Sequence, residues 1–152
     1  MIEMRLHMED LAYDASRCNM GYTVGGILYI TIGDTAFPSE EWYDIVFTDL
    51  KSWIPGILSF GRNHTDSCLL PFMDGPYQIK LLRDSHGIIL ASCIRNNYAQ
   101  MQNIEIDFLS FVNSVAKCAR EYDRFLYING STSLFRNEIE GLKALLSTCT
   151  DC

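Results

Sequence analysis

The chain is poor in long apolar runs, in basic residues and in histidines. Its longest uninterrupted apolar stretches are only a few residues, so no segment is expected to cross a membrane. Lysine and arginine number 12 against 19 carboxylates, and no basic patch with interleaved aromatic residues exists, which argues against nucleic-acid binding. The three histidines, His7, His64 and His86, are far apart in the sequence. Each is interpreted as a solvated surface residue.

The motifs that carry catalysis or metal binding are also missing. No serine or cysteine is placed in a strand-to-helix elbow, so acyl transfer has no support. The glycines of residues 21–26 precede a predicted strand, whereas a phosphate loop needs a helix there. Cys149 and Cys152 have C-x-x-C spacing, but a zinc site needs a second pair of ligands. We therefore expect no catalytic residue, no metal and no cofactor.

The first ten residues carry charges where a secretory signal would need an apolar core. We therefore expect a cytoplasmic protein. In a reducing compartment, cysteines are expected to remain free thiols that serve as small apolar residues. This applies to Cys18, Cys68, Cys93 and Cys118.

All of the net negative charge lies in the first fifty residues. That segment has nine carboxylates and two arginines, whereas the other 102 residues have ten acids and ten bases. An imbalance of this kind attracts basic partners and repels nucleic acids and anionic membranes. The nine carboxylates are Glu3, Glu9, Asp10, Asp14, Asp34, Glu40, Glu41, Asp44 and Asp49.

Length and composition predict one domain. The chain has 152 residues, of which 48% are hydrophobic, and a chain of this size buries about two-thirds of its surface on folding. That is enough for a core without disulfides or metals. We assign the domain to residues 1–148 and interpret residues 149–152 as a frayed tail.

Five segments have strand patterns. Apolar and polar residues alternate at the start of the chain, and the second segment is apolar on both faces, as in a central strand. Pro71 cannot donate to a ladder, so its strand is expected at an edge or at a bulge. The predicted strands are residues 2–8, 26–33, 67–73, 77–83 and 88–95.

The clearest predicted helix follows Pro38. Ser39 is the expected cap, and Glu40 and Glu41 occupy the first turn, where the helix dipole favours anions. One apolar stripe then runs from Trp42 to Leu58. Pro55 is expected to make this helix kink or restart near Trp53, because proline removes an internal hydrogen bond.

Two further helices, over residues 104–124 and 133–148, close the chain and are separated at Asn129-Gly130. The order β-β-α-β-β-β-α-α with short hairpins predicts an α+β fold. Its expected architecture is one antiparallel sheet of about five strands, with three helices mainly on one face.

Two segments resemble a small, largely uncharacterised bacterial family. The first is Gly33-Asp34-Thr35-Ala36-Phe37-Pro38 followed by Trp42, Asp44 and Trp53, and the second is Phe72-Met73-Asp74-Gly75-Pro76-Tyr77. The resemblance covers about residues 25–95. Members of this family are similar in type to the immunity proteins of bacterial polymorphic toxin systems. The resemblance implies no enzymatic activity.

The first functional hypothesis is a cytoplasmic immunity protein that binds and occludes a cognate toxin domain. A nuclease toxin needs a basic cleft for phosphate, and an acidic surface competes for that cleft while it steers association. The expected partner is therefore a protein domain with a basic surface, not a nucleic acid or a membrane. The expected binding residues are Asp10 and Asp14 in a loop, and Glu40, Glu41 and Asp44 on the exposed side of the first helix.

Two other classes of function stay open. One is a small enzyme or ligand-binding domain with a pocket between sheet and helices, lined by Asp74, Tyr77 and His86. In the Asp74-Gly75 pair, however, the aspartate more often stabilises a turn than acts in catalysis. The other is a structural subunit that forms a homodimer through an edge strand.

Overall fold

A computed structural model describes residues 2–7, 25–130 and 133–148 of the chain. Asp10 and Asp14, two of the predicted partner-binding residues, lie outside the described residues, as do Cys18 and the predicted tail at 149–152. Within the described residues the chain forms eight strands and three helices. In chain order these are β1 (Ile2–Leu6), β2 (Gly25–Ile32), β3 (Thr35–Phe37), β4 (Tyr43–Ile45), α1 (Val46–Gly61), β5 (Ser67–Pro71), β6 (Tyr77–Arg83), β7 (Ile89–Arg95), β8 (Tyr98–Glu105), α2 (Phe108–Ile128) and α3 (Arg136–Thr148).

The first sheet is built around β2. Strand β1 pairs antiparallel with one edge of β2, while β3 and β4 share the other edge. The outer edge of β1 is covered by α2, because the Met4 amide donates to Ser114 Oγ at 2.8 Å and the Met4 carbonyl accepts from Cys118 Sγ at 3.5 Å. A helix therefore closes an edge that would otherwise be open to another strand.

The second sheet is an antiparallel meander in the order β5-β6-β7-β8. The β7–β8 turn places Asn96 and Asn97 at φ 50° and 66°, as a two-residue hairpin turn of the mirror-image type requires. The pairing of β7 with β8 shifts register twice. Strand β5, which ends at Pro71, is an edge strand, so the prediction from that proline is confirmed.

The helices bury one face of the sheets in a shared core. Helix α1 packs against β5, β2 and β4, α2 packs against β1, and α3 packs on α1 and α2. One hydrophobic cluster includes residues of both sheets and all three helices, from Ile2 to Leu145. The described cysteines, Cys68, Cys93 and Cys118, are free and buried in this cluster, as predicted.

The α+β class is confirmed, but the single five-stranded sheet is wrong. The eight described strands form two four-stranded sheets. The sequence patterns did not predict β3 and β4, which are three residues each, or β8, which follows the two-asparagine turn. Every residue of β8 is at least partly exposed, so the strand lacks the alternation of buried and exposed residues on which the prediction relied.

The first helix also begins later than predicted. Residues 40 and 41 form a turn, Tyr43–Ile45 form β4, and α1 begins at Val46 without a side-chain cap. Pairing with Gly25, Gly26 and Ile27 of β2 draws the segment into the sheet, where its aromatic and branched side chains also suit a strand. The helix continues through Pro55 to Gly61 and does not restart there.

The last two helices match the prediction more closely. Helix α2 starts four residues later than predicted because Asp107 caps it, accepting a hydrogen bond from the Ser110 amide at 3.2 Å. Asp123 of α2 accepts hydrogen bonds from the amides of Leu134 and Phe135, which connects α2 to the start of α3.

Candidate functional site

The three predicted partner-binding carboxylates in residues 40–44 do not share one exposed helix face. Glu40 and Glu41 are exposed, but in the turn that precedes β4. Asp44 lies in β4 and is only 1% exposed, so its assignment to an exposed surface is wrong. It is buried because β4 inserts between β2 and the β5–β6 turn, and both contact it.

The two motif segments, residues 33–53 and 72–77, pack against each other through aromatic rings. The Trp42 ring lies edge-on to Tyr77 at 4.9 Å between centroids, and Phe37 lies 5.6 Å from the same tyrosine. Phe72 contacts Trp53 of α1 at 5.0 Å. The cluster therefore joins the residues around β3 and β4 to the β5–β6 turn.

Gly75 is required at the point where this cluster meets the turn. Its φ is +126°, and a Cβ placed there would lie 2.9 Å from Cη2 of Trp42. A side chain would be strained by the backbone and would also displace the tryptophan. The Asp74-Gly75 pair is thus a turn, which agrees with the structural interpretation of this motif.

Asp44 organises the residues around it through three hydrogen bonds. Its Oδ1 accepts from the amides of Ile45 at 2.7 Å and Asp74 at 3.2 Å, and its Oδ2 accepts from Trp42 Nε1 at 3.0 Å. A carboxylate that accepts several hydrogen bonds is well compensated for burial. Asp44 therefore connects β4, the aromatic cluster and the β5–β6 turn.

Asp49, in the first turn of α1, is the second buried carboxyl beside this turn. It is 1% exposed, and its Oδ1 accepts from the Met73 amide at 2.9 Å. Asp49 and Asp44 together thus bind the consecutive amides of Met73 and Asp74. Among the described residues, Oδ2 of Asp49 has no hydrogen-bond partner of ordinary geometry, although the Asp44 carboxyl is close enough to influence it.

The environment of Asp49 favours its protonated form. Burial raises its pKa to about 9, and the neighbouring Asp44 and Asp74 carboxylates add to the rise, while the hydrogen bond from Met73 opposes it. At neutral pH the Asp49 carboxyl keeps its proton, which removes a repulsive charge from beside Asp44. A carboxyl with this behaviour is a marker of functional sites, and it is also found in purely structural pairs.

A cavity of about 280 Å³ opens to the surface at this place, lined by Tyr43, Asp44, Ile45, Met73 and Asp74. We call it the Tyr43 cavity. Tyr43 is 50% exposed and Met73 is 57% exposed. The cavity thus combines an aromatic ring and a thioether at the surface with two carboxyls.

The Tyr43 ring packs closely over Gly25 of β2. A Cβ on Gly25 would lie 2.3 Å from the Tyr43 hydroxyl and 2.6 Å from the ring, so only glycine lets the ring lie across β2 at this position. The ring therefore rests on the strand backbone on one side and is accessible on the other. An aromatic side chain with little freedom loses little entropy when a partner covers it.

Three exposed carboxylates surround this cavity or lie close to it in the chain. Asp74 lines it, and Glu40 and Glu41 come three and two residues before Tyr43. Within the described residues none of the three forms an ion pair. The segment 25–50 has five acids and no lysine or arginine, so no cation of that segment neutralises them. We call Glu40, Glu41 and Asp74 the acidic rim.

The alternative pocket of Asp74, Tyr77 and His86 is wrong. Asp74 and Tyr77 lie near each other at one end of β6, but His86 lies in the turn after the other end of that strand. Seven residues of extended strand separate the two ends by about 20 Å. The strand direction therefore prevents the three side chains from meeting.

A cavity does lie between the second sheet and the helices, but other residues line it. It has a volume of about 350 Å³, and its lining includes Arg83, Glu105, Asp107 and Phe108. Arg83 already donates to the carbonyls of Phe60 and Thr65, and Asp107 caps α2. Because these polar groups have structural partners, this cavity is a weaker candidate for a binding site.

The described part of the chain offers no cluster of metal-ligating side chains and no membrane-spanning helix. No group of three or more histidine, cysteine, aspartate or glutamate residues there could hold a metal ion. Across residues 2–7, 25–130 and 133–148, no helix is both long and apolar enough to cross a membrane. Comparison of the chain with family models, with curated proteins and with solved structures finds no match.

Sequence reasoning missed Asp49, Tyr43 and Met73 as parts of the site. A signal for Asp49 was available, because it falls seven residues after Trp42 and four before Trp53, on the apolar stripe itself. A carboxylate at such a position must be buried and must therefore be paired or protonated. Tyr43 and Met73 offered no signal, because exposed single apolar residues are common.

Proposed function

We propose that this protein is a cytoplasmic immunity protein that binds a cognate toxin domain with a basic surface, such as a nuclease, and neutralises it by covering that surface. The observation that supports the proposal is the acidic rim beside the half-exposed side chains of Tyr43 and Met73. Aromatic residues and methionine are enriched in the centres of protein interfaces, and the rims of interfaces are polar. The expected resemblance of residues 25–95 to a bacterial family whose members are similar in type to immunity proteins is in line with the same proposal.

The charge arrangement suits an interface with a basic partner. Among the described residues the carboxylates of the acidic rim have no ion pair to give up when a basic surface approaches. Their field also raises the rate of association, an effect that salt screens beyond roughly 8–10 Å at physiological ionic strength. Tyr43 would supply the contact area that slows dissociation.

Edge-strand dimerisation, the other binding hypothesis, is less favoured. The outer edge of β1 is covered by α2, and β5 ends in a proline. Strand β8 is exposed but shifts register twice, and Asn103 within it has a φ of 52°. Irregularities of this kind are devices by which natural edge strands avoid pairing with other chains.

The experiment starts from a toxin domain encoded beside the gene for this chain. We expect the toxin domain to arrest growth of a bacterial host and co-expression of this chain to restore it. Association rates are then measured by stopped flow for the wild type and for the triple variant Glu40→Gln, Glu41→Gln, Asp74→Asn. We expect the variant to associate about tenfold more slowly at low salt, with a smaller difference at high salt.

The matched control removes three exposed charges on other elements, through Glu105→Gln, Glu140→Gln and Asp66→Asn. It changes the net charge equally but leaves the acidic rim intact. An equal loss of rate in both variants would assign the effect to net charge. Failure to restore growth, in a host where the chain is folded and abundant, would contradict the immunity function itself.

A further inference from the structure

We infer that the Tyr43 cavity receives an arginine side chain of the partner protein, an inference that rests on the proposed function and names the partner's contact. The cavity is open at the surface, and its lining combines the aromatic Tyr43, the apolar Ile45 and Met73, and the acidic Asp44 and Asp74.

The volume of the cavity suits a single side chain as its occupant. Sites for cofactors and drug-sized ligands have volumes of roughly 300–1,000 Å³. At about 280 Å³ the Tyr43 cavity lies just below that range. A volume at the small end of ligand sites suits one long side chain that enters from a partner's surface.

The carboxyl groups of Asp44 and Asp74 in the lining favour a positively charged occupant. Asp74 is exposed and forms no ion pair among the described residues. Lys51, the first basic residue after residue 25, is already engaged, because it donates to the Leu134 carbonyl and pairs with Glu138. Within the described residues no basic side chain of this protein lines the cavity, and the proposal therefore assigns the cation to a partner.

The Tyr43 ring favours arginine over lysine as the occupant of the cavity. A guanidinium group is planar, so it stacks on a tyrosine face and still directs several N–H donors to a carboxylate in the same plane. An ammonium group is more strongly hydrated and makes a less directional contact. The Tyr43 ring is already positioned on Gly25, so the stacking surface exists before the partner arrives.

Hydrogen bonds hold in position the turn at Met73 and Asp74, which lines the cavity. The Met73 and Asp74 amides are bound by Asp49 and Asp44, so the turn that presents both side chains is attached to α1 and β4. A receptor held in this way loses little entropy on binding. The buried carboxyls of Asp44 and Asp49 thus hold the turn that lines the cavity. We assign Asp49 a positioning role, because it does not line the cavity itself.

The test uses Nα-acetyl-arginine methylamide as the probe and the full chain labelled with ¹⁵N. We expect saturable amide shifts in the NMR spectrum, centred on Tyr43, Ile45, Met73 and Asp74. The corresponding lysine derivative should bind about threefold more weakly, because it lacks the stacking contribution. The citrulline derivative has nearly the same shape without the charge, and it should produce no saturable shift.

Two variants and one control complete the experiment. Asp74→Asn should weaken the arginine derivative about threefold to fivefold, and Tyr43→Leu should abolish the preference for arginine over lysine. Glu105→Gln, which removes one exposed carboxylate from β8, should change nothing. The same spectra report whether each variant is folded.

The inference is overturned if the arginine derivative causes no shifts at the cavity, if citrulline binds equally well, or if Asp74→Asn binds as the wild type does. These outcomes leave the immunity function intact where growth rescue and the effect of the acidic rim persist. Conversely, arginine binding by a chain that does not rescue growth would support the cavity and contradict the immunity function. The two proposals can therefore fail separately.

Discussion

Relative to the wild type, the Asp49→Asn variant should become more stable as the pH rises. In the unfolded chain an aspartate titrates near pH 3.9, whereas burial and the nearby Asp44 raise the pKa of Asp49 to about 9 in the folded protein. Between these values the folded state holds one more proton than the unfolded state. The contribution of Asp49 to stability is therefore complete below about pH 4 and is lost progressively as the pH rises towards 9.

The change in the free energy of unfolding per pH unit follows from the one extra proton that the folded state holds. One proton corresponds to about 1.4 kcal/mol per pH unit, so the free energy of unfolding should fall by about 4 kcal/mol between pH 5 and pH 8 from this group alone. That is a large share of the roughly 5–15 kcal/mol that holds a domain together. Asparagine at position 49 is neutral at every pH and keeps an oxygen for the Met73 amide. The Asp49→Asn variant should not show this loss.

Urea unfolding at constant ionic strength, in half-unit steps from pH 5 to pH 8, measures the effect. The stability difference between Asp49→Asn and the wild type should grow by about 1.4 kcal/mol per pH unit. Asp107→Asn is the control. Hydrogen bonds from Ser110 lower the pKa of Asp107, so its contribution is present above the unfolded value and is lost only in more acid solution. Its difference should be flat in this window. A flat difference for Asp49→Asn would show that Asp49 is ionised.

Substitutions at two positions test the surroundings of the site, and thiol labelling tests the burial of the cysteines. Trp42→Ala should cost about 3 kcal/mol of unfolding free energy, because it leaves a cavity in the aromatic cluster. Trp42→Phe should recover only part of that in the same urea melts, because it restores the ring packing but not the hydrogen bond to Asp44. Gly75→Ala should cost about 1–3 kcal/mol, since its φ of +126° disfavours a side chain and a Cβ would meet Trp42; a wild-type midpoint would contradict this contact. Burial raises the pKa of the Cys68 thiol to about 11 and of Cys93 and Cys118 to about 12, so an aromatic disulfide reagent at pH 8 should label them only on unfolding, as checked by peptide mapping.

Much of the fold could be predicted because its signals are local. The period of two in β6 and the helical period of α2 are each contained in one short segment, and the predicted bounds of β6, Tyr77–Arg83, agree with the structure. Turn residues such as Asp74-Gly75 indicated the hairpin for the same reason, since backbone conformation depends on the residue itself. The asymmetry of charge is likewise a property of the sequence alone.

The start of the first helix could not be predicted from local signals. Residues 42–46 suit both the apolar stripe of a helix and a short strand, and the choice depends on a pairing partner at Gly25–Ile27, 16 to 20 residues earlier in the chain. Tertiary context commonly overrides weak local preference in this way. The assignment of Glu40, Glu41 and Asp44 to one exposed face failed with it.

The sequence by itself determined the composition of the candidate site: an excess of carboxylates early in the chain, aromatic residues in two motifs, and a glycine after Asp74. Only the tertiary structure decided which carboxylates are buried and which are exposed. Asp44 and Asp49 come together with the amides of Met73 and Asp74 because β4, α1 and the β5–β6 turn pack at one place. Burial and proximity depend on contacts between distant segments, and these also decide that Asp49 keeps its proton while Glu40 and Glu41 remain at the surface.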